Sequence, residues 1–473
     1  MDEWSTLRCN SYEESRAISR GVFSDIHLPD KRLNSRMQFS FAQLLMHPGN
    51  AFSKSFNCWS GTKGYYRFLS NPRVDIEYLS KYIGEHGARK SLGRKTIYAI
   101  SDTTEISLPK TQIRSVFGHG SRSASSKSFF VHSTLSIDEK GLPLGILHQK
   151  IWNRDHKSHG KKHKRKLLPI QEKESFKWVE AAQAIVSHFN EKPDPPEVIM
   201  ICDREGDIFE YIEYVNSHKM HAIVRSSHNR SLQDGDENLW ERVDNQKVSH
   251  EVTFQVPRRP RKKKRKAKLT IRFLSEVELR KPSTLKGKHS PQKVSIIVVE
   301  EQDPPNEKDA IHWRLITTLP VHSGREAWEI SQKYKYRWQV EEFHYILKSG
   351  CRIEKLQFEE FERYSKALVI LSQVSIELLT LKYLSRIHPD LPASEILTDI
   401  QILVLKTKAK MMTPRAPPPD KLTIKDAVMI IGKMGGHLGR KCDGMPGLKV
   451  LWLGWSDLNV IADIAPELIK SQQ

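Results

Sequence analysis

The stretch VIMICD, residues 198–203, decides the fold. Its five apolar residues run without a break and end directly on Asp203. A continuous apolar run of this length is typical of a strand that is buried on both faces of a sheet. A second strand pattern, TIYAIS (96–101), also ends directly on an aspartate, Asp102. Because open α/β sheets place ligands at their strand ends, the sequence predicts two carboxylates held together on neighbouring strands.

The segments around these two runs predict the rest of the sheet. FFVHSTLSI (129–137) alternates polar and apolar residues, and LPLGILHQKIW (142–152) follows after a glycine turn. A helix, EKESFKWVEAAQAIVSHF (172–189), leads to VIMIC, and HAIVRS (221–226) and WRLITTLP (313–320) predict two later strands. Strands followed by a helix and then another strand are the order of an α/β domain with a mixed sheet.

Other patterns flank and interrupt this core. Residues from about 230 to 310 predict long antiparallel strands joined by a charged loop, which is a β insertion. LPDKRLNSRMQFSFAQLLMHPG (28–49) predicts one helix with Asp30 as its N-cap. The sequence therefore predicts three domains: a helical domain at 1–75, an α/β domain at 76–385 and a helical domain at 386–473.

The composition of the 473-residue chain indicates a soluble globular protein, with 38% hydrophobic and 28% charged residues. We find no stretch that is apolar for long enough to cross a bilayer, and the first residues lack the apolar core of a signal peptide. Five scattered cysteines without a CxxC pair argue for reduced thiols and against a structural zinc site. These observations predict a cytoplasmic protein without a membrane partner.

The net charge of +20 is unevenly distributed. RRPRKKKRKAK (258–268) contains no acidic residue, and RDHKSHGKKHKRK (154–166) contains one, so these two runs carry most of the excess. Blocks of this kind are attracted to polyanions. They favour nucleic acid as the partner, and solubilising surface loops are the alternative.

The segment REAWEISQKYKYRWQVEEFHYILKSG (325–350) predicts one long amphipathic helix. Four polar residues fall on one stripe of it, roughly 60° wide. These are Tyr334, Arg337, Glu341 and Lys348. A stripe of mixed charge is often only a solvated face with salt bridges. Here it also supplies a third carboxylate, with cations beside it, for the two aspartates.

Glu341 and its neighbour Glu342 are predicted to differ. Glu342 lies about 100° around the helix from Glu341, and we expect it to have no basic partner and to be dispensable. Carboxylates that are held close together must share protons or a cation. Magnesium suits such oxygen ligands and commonly binds phosphate as well.

The motifs SDTT around Asp102, CDREGD around Asp203 and Y-x2-R-x3-E-x6-K from Tyr334 to Lys348 resemble those of the DDE transposases of the insertion-sequence-four family. The resemblance implies an α/β fold, with an RNase H-like catalytic core, a β-strand insertion and flanking helical domains. It also implies that Asp102, Asp203 and Glu341 are catalytic and hold two Mg²⁺ ions, for which Mn²⁺ can substitute.

The same resemblance implies a set of DNA contacts. Tyr334, Arg337 and Lys348 are expected to contact phosphates, Trp313 to stabilise a flipped base, and Arg225 to contact DNA. In the N-terminal helical domain, the expected contacts with element ends are Lys31, Arg32 and Arg36. The basic run at 154–166 departs from the family pattern.

The function that the resemblance implies is cut-and-paste DNA transposition by nicking, hairpin formation and strand transfer. The partners are then double-stranded DNA, as transposon ends and target, and a second copy of the chain in a paired-end complex. The expected location is the bacterial cytoplasm, at the nucleoid. Two alternatives remain: an RNase H-like nuclease or resolvase that cuts without joining, and an inactive regulator that only binds ends.

Overall fold

A nine-stranded sheet forms the centre of the molecule, which is described by a computed structural model. The structure describes residues 21–108, 118–121, 127–154, 168–256, 264–412, 419–440 and 442–470. Most of the basic run at 154–166 and the first part of the run at 258–268 lie outside these ranges.

The strands are β1 (Thr96–Ser107), β2 (Ser128–Ile137), β3 (Pro143–Trp152), β4 (Glu197–Cys202), β5 (His221–Arg225), β6 (His250–Val256), β7 (Arg265–Leu279), β8 (Gln292–Gln302) and β9 (His312–Thr317). Their order in the sheet is β3-β2-β1-β4-β5-β9-β8-β7-β6. The first three strands are antiparallel, and β4 and β5 run parallel to β1. This arrangement confirms the predicted RNase H-like core.

The β insertion continues the same sheet. β9 pairs antiparallel with β5 on one side and with β8 on the other, and β7 and β6 follow. The predicted charged loop is shorter than expected, because Arg265–Lys268 belong to β7. The guanidinium of Arg265 pairs with the buried carboxylate of Glu301, so this charge is not solvated as it would be in a loop.

The helices are α1 (Lys31–Met46), α2 (Phe52–Ser55), α3 (Trp59–Leu69), α4 (Ile76–Ser91), α5 (Phe176–Phe189), α6 (Phe209–Ser217), α7 (Leu239–Asp244), α8 (Gly324–Lys333), α9 (Trp338–Tyr345), α10 (Phe361–Ile387), α11 (Asp399–Met412), α12 (Ile424–Met434) and α13 (Leu448–Lys470). The predicted N-cap of α1 is confirmed, because the Asp30 side chain accepts a hydrogen bond of 2.9 Å from the Arg32 amide.

The prediction of one long helix over 325–350 is wrong. α8 ends at Lys333 and a 3₁₀ turn, Tyr334–Arg337, follows it. α9 then runs for only eight residues before a π-helical turn, Ile346–Gly350. Turns of these two types interrupt α-helices at strained or functional positions. The side chains of α9 are therefore not oriented by one continuous helix.

The prediction that no stretch is apolar for long enough to cross a bilayer is also wrong, because one helix meets this criterion by its length and composition. α10 has 27 residues and is long and apolar enough to do so. However, 83% of its most apolar window is buried inside the protein. It contacts α1, α3 and α4 on the N-terminal side and α12 and α13 on the C-terminal side. α10 is thus the core helix that joins the helical regions to the sheet.

Candidate active site

The sheet register aligns the two predicted aspartates. Ile100 of β1 pairs with Ile201 of β4 in parallel, so Asp102 and Asp203 stand two residues further along neighbouring strands. β1 does not end at Asp102 as predicted. It continues to Ser107 because β2 pairs with it over this whole length. Asp203 does follow its strand directly, and its carboxylate caps a 3₁₀ turn by accepting a 2.8 Å hydrogen bond from the Glu205 amide.

Arg337 joins the first aspartate to Glu341. Its Nη1 lies 3.5 Å from Asp102 Oδ2, and its Nη2 donates to Glu341 Oε1 one turn further along the helix. The guanidinium therefore lies between a strand carboxylate and the helix carboxylate. This contact, together with the strand register, brings the three predicted carboxylates to one place on the molecule.

The electrostatics of this place reflect the crowding of acidic groups. Burial first, then the Asp203 carboxylate and to a smaller extent Glu341, raise the pKa of Asp102 to about 7. Burial also raises the pKa of Asp203. Two neighbouring carboxylates that resist ionisation are suited to a cation with oxygen ligands. Across the described ranges, no three acidic, His or Cys side chains are arranged to hold a metal ion as they stand. The oxygen donors of the three carboxylates are nevertheless of the type that suits a divalent ion. Arg337 provides the positive charge between Asp102 and Glu341.

The two neighbouring glutamates of α9 point to different surroundings. Val340 and Phe343 are fully buried and pack α9 against the rest of the protein. Glu341 meets Arg337, whereas the Glu342 carboxylate accepts hydrogen bonds from Lys382 and Tyr383 of α10. The expectation that Glu342 has no basic partner is wrong.

Sequence reasoning missed Lys382 and Tyr383, because they lie 40 and 41 residues from Glu342 and no local spacing links them. The available signal was Lys382, a lysine between apolar residues in LLTLKYL (378–384). A buried Lys needs a partner of opposite charge. That signal predicts an acidic partner without identifying it.

Three of the predicted DNA contacts lie together beside the carboxylates. The ring centroids of Trp313 (β9) and Tyr334 are 6.0 Å apart, and the ring planes meet at 62° in an edge-to-face contact. Arg225, at the end of β5, donates a 3.2 Å hydrogen bond to the His312 carbonyl and lies close to the Tyr334 hydroxyl. Tyr334 itself is only 7% exposed, and burial raises its pKa. Trp313 remains partly exposed in front of it.

The remaining predicted contacts are Lys348 and three basic residues of α1. Lys348, in the π turn, pairs with Glu354 at 4.0 Å, and burial lowers its pKa. On α1, Lys31 is exposed and Arg32 is 84% exposed while paired with its own cap, Asp30. Arg36 is half-buried and packs over the Phe39 ring at 5.6 Å.

Family models match three consecutive parts of the chain. The model for transposase DNA-binding matches residues 16–74, that for the transposase DDE domain matches 99–375, and that for the transposase Tn5 dimerisation domain matches 376–469. The DDE match alone covers more than half of the chain. This chain belongs to the DDE transposases. The family predicted from its motifs is confirmed, and with it a protein that acts on DNA and has a dimerisation domain. DDE transposase domains use divalent metal ions.

A solved structure, described as a cryo-EM structure of piggyBac transposase synaptic complex with hairpin DNA, also matches. It shares 8% sequence identity with this DDE transposase, and the match covers 79% of this chain and 73% of that chain, with a TM-score of 0.36.

Proposed function

We propose that this DDE transposase moves its element by a cut-and-paste reaction at a single active site formed by Asp102, Asp203 and Glu341. The observation that carries the proposal is the meeting of these three carboxylates: two by strand register and the third through Arg337. Nicking, hairpin formation, hairpin opening and strand transfer are all phosphoryl transfers. One site that orients different nucleophiles against a phosphodiester can therefore perform them in turn.

The three carboxylates would hold Mg²⁺, or Mn²⁺ in its place. When bound, a pair of such ions activates the attacking oxygen and stabilises the leaving oxygen. In this structure the Arg337 guanidinium pairs with Asp102 and Glu341. We infer that it turns to a DNA phosphate when divalent ions balance the charge of these carboxylates instead. An arginine fork matches phosphate oxygens with two parallel hydrogen bonds.

Trp313, Tyr334 and Arg225 form the proposed binding place for an unstacked base and its phosphate. The partly exposed indole of Trp313 is backed by the buried Tyr334 ring, so it offers a rigid stacking face. Arg225 is anchored to the His312 carbonyl beside it and keeps further guanidinium donors for a phosphate. We propose Tyr334 and Lys348 as additional phosphate contacts, and the basic residues of α1, namely Lys31, Arg32 and Arg36, as contacts with element ends.

We propose a homodimer in the paired-end complex, with its interface on α13. Leu453, Val460 and Ile464 recur at intervals of seven and four residues and are 44%, 45% and 54% exposed, so they form one apolar stripe on the outside of this helix. Val460→Asp with Ile464→Asp is expected to abolish pairing of two ends, in a mobility-shift assay, while single ends still bind. Val248→Asp, at a 40% exposed valine of the β insertion, is the matched control. Pairing that survives the double substitution places the interface elsewhere.

The proposal is tested by incubating the purified protein and Mg²⁺ with a linear element that carries its own ends. Nicks, then hairpin ends, then joined target products are expected in that order, and none with Glu341→Gln. Nicks without joined products would favour the nuclease or resolvase. Binding of ends without nicks would favour a regulator. We expect these reactions to take place in the bacterial cytoplasm, at the nucleoid.

A further inference from the structure

α9 carries Glu341 but is too short and too irregularly joined to orient it alone. It has eight residues, preceded by a 3₁₀ turn and followed by a π turn. Its buried residues are Gln339, Val340, Phe343 and His344, and the two apolar side chains among them provide its packing contacts. Apolar packing is not directional, so it tolerates small rotations of a helix better than hydrogen bonds do. The rotation that points Glu341 at Asp102 therefore needs polar restraints.

Glu342 supplies the strongest of these restraints. Both of its carboxylate oxygens accept hydrogen bonds from Lys382 Nζ, and Oε2 also accepts one of 2.9 Å from the Tyr383 hydroxyl. The side chains of Lys382 and Glu342 are only 7% and 19% exposed. Hydrogen bonds between charged partners are strong and geometrically specific. We infer that this buried ion pair fixes an arrangement more than it adds net stability. We call these three residues the Glu342 clamp.

A weaker restraint acts from the other neighbour of α9. Gln339 Nε2 donates a 3.0 Å hydrogen bond to the Gly141 carbonyl, and the Tyr336 hydroxyl donates one of 3.2 Å to the Glu139 carbonyl, both in the turn between β2 and β3. α9 is thus tied to the sheet by neutral hydrogen bonds and to α10 by a buried ion pair. Glu341 lies between these two anchors.

We propose that Glu342 is a positioning residue for DNA cleavage, and that the Glu342 clamp fixes the rotation of α9 so that Glu341 faces Asp102. The inference rests on the proposed catalytic role of Glu341. It also reverses the sequence-based expectation that Glu342 is dispensable. A displacement of about 1 Å in a reacting group can cost a hundredfold in rate, so a small rotation of α9 is enough to matter.

The test uses single-turnover nicking of pre-bound element ends over a range of Mg²⁺ concentrations. Glu342→Gln is expected to slow nicking by about ten- to a hundredfold and to raise the half-saturating Mg²⁺ concentration, while end binding in EDTA stays within about twofold of wild type. Lys382→Met should behave in the same way. Tyr383→Phe removes only one hydrogen bond and should have a smaller effect in the same direction.

The matched control is Glu377→Gln. Glu377 lies on the same helix, α10, with its side chain 10% exposed, and pairs at 3.3 Å with Lys90 of α4 rather than with α9. Its substitution removes a comparable buried ion pair and should leave the nicking rate and the Mg²⁺ dependence of the wild type unchanged.

The double variant Glu342→Gln, Lys382→Met distinguishes an effect on the position of Glu341 from an effect on the stability of the protein. It leaves no unpaired buried charge, so its thermal unfolding should return towards that of wild type while nicking stays slow. Full recovery of nicking in the double variant, or Glu342→Gln kinetics equal to those of Glu377→Gln, would overturn the proposal. A wild-type protein that does not nick at all would instead overturn the proposed function.

Discussion

The strands that carry the two aspartates and the helix that carries the glutamate hold their carboxylates in different ways. β1 and β4 lie inside the sheet, with a hydrogen-bonded strand on each side, so the backbone fixes Asp102 and Asp203. α9 is short, and side chains that are distant in sequence fix Glu341. Backbone ladders are insensitive to most single substitutions. A side-chain clamp depends on each of its members. The site therefore has a strand half, which holds Asp102 and Asp203, and a helix half, which holds Glu341. A substitution outside the three carboxylates can disturb the helix half.

The largest effect should come from removing any of the three carboxylates, which acts equally on both halves of the site. Asp102→Asn, Asp203→Asn and Glu341→Gln are each expected to reduce the nicking rate on the order of a thousandfold or more. End binding should be retained, because it depends on phosphate contacts elsewhere. Nicking rates and mobility shifts on one end fragment measure both. Glu191→Gln, at an exposed carboxylate just after α5, is the control. Near wild-type nicking by any of the three variants would remove that residue from the site.

A second, smaller effect should distinguish the first nick from hairpin formation. Trp313→Ala is expected to spare the first nick and to slow hairpin formation by about ten- to a hundredfold. Stacking of an unpaired base on an aromatic ring contributes roughly 1–3 kcal/mol, and only the hairpin step needs an unstacked base. Nicked intermediates should then accumulate on a denaturing gel. Equal slowing of both steps, together with a lowered Tm, would return Trp313 to a packing role.

Asp102, in the strand half of the site, should make both the Tm and the nicking rate depend on pH. The pKa of Asp102 is raised from its ordinary 3.8 to about 7, so the folded protein binds a proton more tightly than the unfolded chain does. The stability from this group is present below about pH 4 and is lost as pH rises through about 7. Without metal, the Tm of wild type should therefore fall over this range more than that of Asp102→Asn. At limiting Mg²⁺, nicking should rise with pH up to about 7 and then level off. Parallel Tm curves for the two proteins would contradict the assignment.

The smallest effect tests the weaker anchor of α9. Tyr336→Phe removes one hydrogen bond to the Glu139 carbonyl, which contributes about 1 kcal/mol. We expect a Tm lowered by about 1–2 °C and nicking slowed by less than about tenfold. This is a milder loss than that expected from the Glu342 clamp. A Tyr336→Phe variant that is slower than Glu342→Gln would make the turn between β2 and β3, and not α10, the main anchor of α9.

The difference between the two halves also explains what the sequence could predict. Runs such as VIMICD report burial and strand position directly, so the core and the places of Asp102 and Asp203 followed from pattern. The helical period separated Glu341 from Glu342, but it assumed 100° per residue through a segment that contains a 3₁₀ and a π turn. The continuation of β1 to Ser107 depends on its partner, β2, and the pairing of Glu342 with Lys382 depends on tertiary contact. The first leaves no local signal, and the second leaves only a lysine among apolar residues, which predicts an acidic partner without identifying it.

The burial of α10 has a consequence for the biosynthesis of the protein. This apolar helix is covered by N-terminal residues such as Leu45 and by C-terminal residues such as Trp455, which line one small cavity together with Leu381 and Leu384. Trp455 lies 68 residues after Ile387, so at roughly 5–20 residues per second a ribosome adds it about 3–14 s later. During that interval one side of α10 has no partner within the nascent chain and is a surface for chaperones or for aggregation. A fragment truncated near residue 385 lacks the C-terminal helices, so this side of α10 stays uncovered. The yield of such a fragment in soluble form therefore measures how much the C-terminal helices contribute to folding.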